Sequence, residues 1–205
     1  MNRHVLSVCG SLQATSANRA ALDVVRAYLE RYRPLPVTVD DADELGTIIA
    51  FNPDRQSDPG AAVTSFRQRI AVADTVVFAT PEYAGALPGA LKNALDWIVG
   101  SSELYAKPVV VISAGTTGGG YAREQLIRAL TWQGAHVVGE LGIAAPRTKS
   151  DADGRLTDPV TIAAIEELAQ LTIDAPTQSP ADRLARVHEV IARFGISGDH
   201  VAPVR

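Results

Sequence analysis

The sequence predicts one open α/β domain built on a doubly wound parallel sheet. Two observations carry that expectation. Short apolar runs alternate with longer amphipathic stretches, as in successive βαβ units, and three of those runs are followed by loops rich in Gly, Ser, Thr, Ala and Pro. A third observation agrees: 205 residues, 46% apolar and 20% charged, suffice for one sizeable core.

The elements follow in order. A first strand spans about His4 to Val8, and a loop from Gly10 to Ser16 leads to a helix from Ala17 to about Tyr32, with Ser16 as N-cap and Pro34 and Pro36 preventing continuation. Val37-Thr38-Val39 is a short second strand. A long polar connection ends at Asp58-Pro59, read as the N-cap and first position of a helix running through Ala73. The third strand, Thr75 to Ala79, is continuously apolar after its first residue, as a doubly covered strand should be. The loop from Pro81 opens a helix with Pro88 in its first turn, extending to Gly100. A fourth strand, about Val109 to Ser113, is followed by Ala114-Gly115-Thr116-Thr117-Gly118-Gly119-Gly120 and a helix to Gln133, with Gly134 as its left-handed cap. A fifth strand begins near His136. Lys149 to Asp158 reads as a surface loop with an Asp153-Gly154 turn, and a helix from Pro159 to about Leu171 follows. Ser179-Pro180 opens one more helix, closed by Gly195. Its Leu184, Val187, Ile191 and Phe194 keep helical spacing and must pack on the domain or on a partner subunit. Residues 1–178 are therefore expected to form the main unit and 179–205 a helical extension.

Bulk properties narrow the function. A net charge of −4 and the lack of a Lys/Arg run argue against nucleic acid or an anionic membrane as partner. The lone Cys9 precludes an internal disulfide, and the opening residues run into a strand too short for a signal-peptide core, so a cytoplasmic location is expected. His4, His136, His188 and His200 are scattered without ligand spacing, so no metal site is expected. Cys9 reads as a packed, inert thiol. Lys92 and Asp96 read as an i,i+4 surface pair, Trp97 as a core or interface residue, and Arg123, Glu124 and Arg128 as facing solvent or a neighbour.

Parallel topology gathers the loops after strands one, three and four at the carboxyl edge of the sheet, where ligands bind in such folds. The first loop, with Ser11, Gln13, Ser16, Ala17 and Asn18, offers hydroxyls, amides and helix N-terminal N–H groups to one anion. It has neither the GxxxxGK[ST] of a P-loop nor GxGxxG. Around Pro81, Glu82, Tyr83, Ala84 and Gly85, and around Ser113, Gly115, Gly118 and Gly119, small residues allow a flat group to approach the backbone closely. A flat heteroaromatic ring carrying one terminal phosphate suggests a mononucleotide such as FMN. A hydrolase or transferase is disfavoured, because no G-x-S-x-G elbow with a paired base is present.

These stretches, and above all Pro81-Glu82-Tyr83 with Pro88-Gly89-Ala90-Leu91-Lys92-Asn93-Ala94-Leu95-Asp96-Trp97, resemble the NAD(P)H-dependent FMN reductase family, which includes quinone, azo-dye and chromate reductases. The resemblance covers about Val5 to Ala144. It implies a flavodoxin-like fold with strand order 2-1-3-4-5, FMN held by the three loops, and NAD(P)H as co-substrate. It also implies a homodimer or homotetramer, with the helix bearing Asp96 and Trp97 near a subunit contact. The flavin would accept hydride at N5 and pass it to a quinone, azo compound, metal oxyanion or free flavin, so no catalytic side chain is assigned. Three positions depart from the family pattern: Gln13 stands where Arg is usual, Ala84 where Asn is common, and Ala86 where Ser is common. They predict weaker FMN binding than the family pattern would give. The alternative is a flavodoxin-like FMN-binding or degenerate-site protein without reductase turnover.

Overall fold

The computed structural model describes residues 2–203. Residue 1 and residues 204–205, the outer ends of the two expected units, lie outside the described residues. Five strands, β1 (Arg3–Cys9), β2 (Val37–Ala42), β3 (Thr75–Thr80), β4 (Pro108–Gly115) and β5 (His136–Ala144), form one parallel sheet in the order β2-β1-β3-β4-β5. The expected flavodoxin-like architecture is thus present. The helices are α1 (Ala17–Glu30), α2 (Ala61–Val72), α3 (Gly89–Ile98), α4 (Gly120–Trp132), α5 (Pro159–Asp174) and α6 (Pro180–Ala192).

The order follows from the sequence pattern. Every residue of β3 is buried and β4 is buried through Ala114, so these strands must be central and covered on both faces. β2, reading Val37-Thr38-Val39-Asp40-Asp41-Ala42, carries charge and stands at the edge. Right-handed crossovers set α1 and α5 together on one face and α2, α3 and α4 on the other. The core runs through both layers, with Leu6, Phe66, Phe78, Leu91, Trp97 and Ile112 fully buried. The direction of strand addition reverses between β1 and β3, which is the topological switch point of an open sheet.

Several boundaries shift for local reasons. α2 starts at Ala61 rather than at Pro59: Gly60, at φ +85°, turns the chain, and no side chain caps the helix. Its other end is closed by Lys107, whose Nζ donates to the carbonyls of Ile70, Ala71 and Ala73 at 2.7, 3.1 and 2.6 Å. Burial holds that ammonium below the usual lysine range. Pro88 precedes α3 as its cap residue rather than lying in its first turn. β2 runs on to Ala42, because Asp41 is held by Arg19 and Arg26 of α1 at 3.2 and 2.6 Å. α1 stops at Glu30, and α5 runs three residues beyond Leu171 to Asp174.

α6 begins at a Ser179 cap, packs on β5 and buries Val187 and Ile191. Beyond it the chain returns to the sheet. His136, fully buried at the start of β5, meets the carbonyl of Ala202 through Nε2 at 2.6 Å, so Nε2 carries the proton. Trp97 is a core residue: it is 1% exposed, its Nε1 donates to the Ile49 carbonyl at 2.8 Å, and its ring meets Phe51 edge-on at 5.2 Å.

Candidate functional site

At the carboxyl edge the loops enclose a cleft of about 960 Å³. It is lined by the β1–α1 loop with the start of α1, by Pro81–Tyr83, by the end of β4 and by residues 145–154 after β5.

The β1–α1 loop is pinned at both ends. Gly10 donates its N–H to the Ala79 carbonyl at 2.7 Å, and a Cβ there would stand 2.9 Å from Leu91 Cδ2, so any larger residue would have to displace that buried side chain. Ser11 Oγ accepts from the Gln13 N–H at 3.3 Å, and Ser16 Oγ caps α1 by accepting from the Asn18 N–H at 3.2 Å. Asn18, 2% exposed, turns its amide across to β4: Nδ2 donates to the Ala114 carbonyl at 3.1 Å, and Oδ1 accepts from the Ala114 N–H at 2.9 Å. Its amide thereby locks the N-terminus of α1 to the end of β4. Beneath the loop Cys9 is buried, and burial pushes its thiol up, so it stays protonated and unreactive.

The β3–α3 loop is a miniature hairpin. Tyr83 and Ala86 exchange both backbone hydrogen bonds, at 3.1 and 3.0 Å, around Ala84 at φ +51° and Gly85 at φ +70°. Positive φ at both central residues is the signature of a type I′ turn, for which Asn-Gly is the preferred pair. Glycine meets the requirement at Gly85, whereas Ala84 meets it under strain. Two side chains, one from each side, tie this hairpin loop to α4. Glu82 Oε2 accepts from the Ala122 N–H at 3.0 Å, capping α4 from another loop. Gln125 accepts from the Leu87 N–H at 3.1 Å and donates to the Gly85 carbonyl at 3.3 Å.

In the β4–α4 segment, Ser113 is fully buried and donates to the Gly118 carbonyl at 2.6 Å. Arg123, expected to face solvent or a neighbour, instead turns inward. Its Nη1 donates to Ser113 Oγ at 2.6 Å and to the Gly118 carbonyl at 2.9 Å, its Nε pairs with Glu140 at 2.8 Å, and its guanidinium lies 5.8 Å from the Phe194 ring. Gly142 leaves the room this requires, since a Cβ there would meet Arg123 Nη1 at 2.2 Å. Arg128 and Glu124 do form an i,i+4 pair, at 2.9 Å, as do Lys92 and Asp96, at 2.6 Å.

Nine of the residues singled out from sequence line the cleft: Ser11, Gln13, Ser16, Ala17, Asn18, Pro81, Glu82, Tyr83 and Gly115. Ala84 and Gly85 form the hairpin tip outside it, Ser113 lies beneath it, and Gly118 and Gly119 form the turn that Ser113 fastens. Sequence reasoning missed the fourth wall. The chain after β5 turns at Pro146–Lys149, crosses back through a Ser150–Leu156 bridge, and is closed by Asp151, whose Oδ1 accepts from the N–H groups of Asp153 and Arg155. Ala145 joins it to β4 by donating to the carbonyls of Gly115 and Thr116 at 3.1 and 3.2 Å. The available signal was topological, since a loop after any parallel strand opens on the same edge.

Fold and cleft together define an open α/β protein with a nucleotide-sized site at its switch point. The family described as NADPH-dependent FMN reductase matches residues 3–149. An Arabidopsis thaliana NADPH:quinone oxidoreductase is 33% identical over 174 residues, covering 77% of this chain and 83% of that protein. A Pseudomonas aeruginosa NAD(P)H-dependent FMN reductase is 35% identical over 161 residues, covering 75% and 84%. Among solved structures, a flavoenzyme NAD(P)H:(acceptor) oxidoreductase from Paracoccus denitrificans superposes with a TM-score of 0.68 at 26% identity, covering 84% of this chain and 96% of that one. The chain belongs to the NADPH-dependent FMN reductase family and is an enzyme of the FMN reductase and quinone reductase type that uses FMN and NAD(P)H. The cleft fits that cofactor: its volume lies within the ligand-site range, and its lining combines small residues with hydroxyls and a helix N-terminus suited to an anion. Among the described residues no helix is long and apolar enough to cross a membrane.

Proposed function

We propose that the protein is an FMN-dependent NAD(P)H oxidoreductase that passes hydride to a small acceptor such as a quinone, an azo compound, a metal oxyanion or free flavin. One observation carries this reading: three small-residue loops, bound to one another by hydrogen bonds, converge on a single cleft at the switch point. Ser11, Gln13, Ser16, Ala17 and Asn18 would serve the phosphate end, through hydroxyls and the N-terminal dipole and N–H groups of α1. Pro81 to Gly85 and Ser113 to Gly119 would form the ring platform, with backbone groups reading its polar edge. When bound, FMN supplies hydride acceptance at N5 and delivery to the acceptor. The chain's own part is orientation: the I′ hairpin, the Glu82 cap and the Ser113–Gly118 bond hold the platform before any ligand arrives, which lowers the ordering cost of binding.

The chain would act as a homodimer or homotetramer, a reading supported by the exposed aromatics Tyr83 and Tyr121, at 54% and 68%, beside the cleft mouth. Residues 179–205 are taken as a helical extension of the main unit. Anaerobic titration tests the catalytic reading. The protein should bind FMN with quenching of its fluorescence, and the flavin's visible absorbance should bleach on addition of NADPH or NADH and return with a quinone. FMN binding without bleaching would leave only a flavin-holding protein, and no binding of FMN would refute the reading. Light scattering at micromolar protein concentration tests the assembly, and a monomer would refute that part.

A further inference from the structure

Arg147 is the only basic residue among those described as lining the cleft. It is exposed there, and among the described residues it makes no hydrogen bond or ion pair. Glu82, Asp151 and Asp153 line the same cleft, and none of them is paired with it. Asp151 closes its own turn, Asp153 pairs with Arg155 at 3.5 Å, and Asp158 caps α5 through the N–H and hydroxyl of Thr161. The other arginine near the β1–α1 loop, Arg19, is drawn to β2, 3.2 Å from Asp41 and 3.9 Å from Asp43.

The placement of Arg147 is set by the backbone. Ala145, two residues before it, is bonded to Gly115 and Thr116 at the end of β4, and Asn18 clamps the start of α1 to the adjoining Ala114. Both segments are therefore fastened to the end of β4 and the residue that follows it. The chain leaving β5 then proceeds to α5, which packs on α1. Arg147 thus lines the same cleft as Ser11, Ser16 and the positive end of α1. Three kinds of anion-seeking group line that one cleft: hydroxyls, helix N–H groups and one unspent guanidinium.

We propose that Arg147 is the phosphate-binding cation of this cleft, closing from the β5–α5 loop on the phosphate monoester seated at the N-terminus of α1. The proposal rests on the FMN reading for the identity of the ligand, but the phosphate chemistry can be tested apart from it. A guanidinium binds a phosphate monoester through paired charge-assisted hydrogen bonds. Its loss should weaken FMN binding by about tenfold or more. Riboflavin, which lacks the phosphate, should not register the change.

The test compares wild type, R147Q and R147K, all stripped of ligand, by fluorescence titration with FMN and with riboflavin and by thermal unfolding in the presence of inorganic phosphate. R147Q should lose most of the wild-type preference for FMN over riboflavin and lose the stabilisation by inorganic phosphate, with R147K intermediate. An unchanged preference in R147Q, or an equal loss for both flavins, would overturn the assignment. So would a rise in KM for NADPH but not NADH with FMN affinity intact, which would give Arg147 to the dinucleotide's 2′-phosphate. If wild type binds neither flavin yet gains Arg147-dependent stability from inorganic phosphate, the FMN reading fails and the phosphate site stands. Absence of both effects in wild type removes the site.

Discussion

Replacing Ala84 with Asn should stabilise the protein, although the side chain is exposed and touches no core. Ala84 sits at φ +51° as the first central residue of the Tyr83–Ala86 hairpin, whose paired backbone bonds fix that conformation. An L-residue with a plain Cβ is disfavoured in the left-handed region by about 1–2 kcal/mol, and Asn recovers part of this through local side-chain hydrogen bonding. The expected gain is about 0.5–1 kcal/mol, which for a domain of this size raises Tm by about 1–4 °C. Ala84→Gly relieves the same strain but frees the unfolded chain by a similar amount, so it should change stability by less than about 0.5 kcal/mol. Ala84→Val, β-branched where branching is least tolerated, should cost about 1–2 kcal/mol. Thermal unfolding of the ligand-free protein orders the series as Asn, then Gly close to Ala, then Val. A Val variant as stable as wild type, or an Asn variant less stable, would refute the strained-turn argument. The same series, titrated with FMN, should show affinity following hairpin stability if the tip is part of the platform.

Three further outcomes follow from the same geometry. Lys107→Met removes three hydrogen bonds from the end of α2, offset in part by relief of the buried ammonium. It should lose about 2–3 kcal/mol and lower Tm by about 4–12 °C in calorimetry. Arg123→Met removes its bonds to Ser113 and Gly118, leaving Ser113's own bond as the one side-chain tie on the Gly118 carbonyl, and leaves Glu140 with only Arg193 at 3.4 Å, so it should cost about 2–4 kcal/mol. Amide exchange should then speed up in residues 115–119 before it does elsewhere. His136 is held neutral, its pKa lowered from 6.5 chiefly by burial, so the unfolded chain takes up a proton there that the folded chain refuses. Its contribution is complete above about pH 6.5 and is lost as pH falls from there towards the folded value. Denaturant midpoints should fall over that window in wild type, and less steeply in His136→Asn.

The fold was legible because its signals are redundant. Thr75-Val76-Val77-Phe78-Ala79 reads as a doubly covered strand from composition alone, and Ser16 and Ser179 mark helix starts that the structure keeps. Boundaries failed where a long-range partner decided them. Nothing local to Asp40-Asp41 suggests a strand until Arg19 and Arg26 arrive from α1. For the site, composition marked three loops but not the fourth. Residues 145–154 carry charge and resemble an ordinary surface loop, and only the parallel order of the strands puts them on the cleft. Arg123 was misread for the same reason: its partners Ser113, Gly118, Glu140 and Phe194 lie on three other elements, and the space for it comes from Gly142.

Polar side chains of the cleft loops divide into those that face a ligand and those already committed to joining the loops. Asn18 binds Ala114 through both ends of its amide, Glu82 caps α4, and Ser113 with Arg123 holds Gly118. Breaking any of these would expose or orphan a partner, at about 1–3 kcal/mol each, so they are poorly placed to swing towards a bound molecule. On the proposed reading, recognition would fall to groups with capacity left: the first N–H groups of α1 that Ser16 does not cap, the Ser11 and Ser16 hydroxyls, which each accept one local N–H and can still donate, the backbone of the hairpin and Arg147. On the proposed reading this division would let the site tolerate Ala84 and Ala86, whose side chains offer no hydrogen bond. A platform that reads its ligand through backbone needs the loops to be fixed more than it needs them to be polar, and the cross-loop bonds supply that fixation.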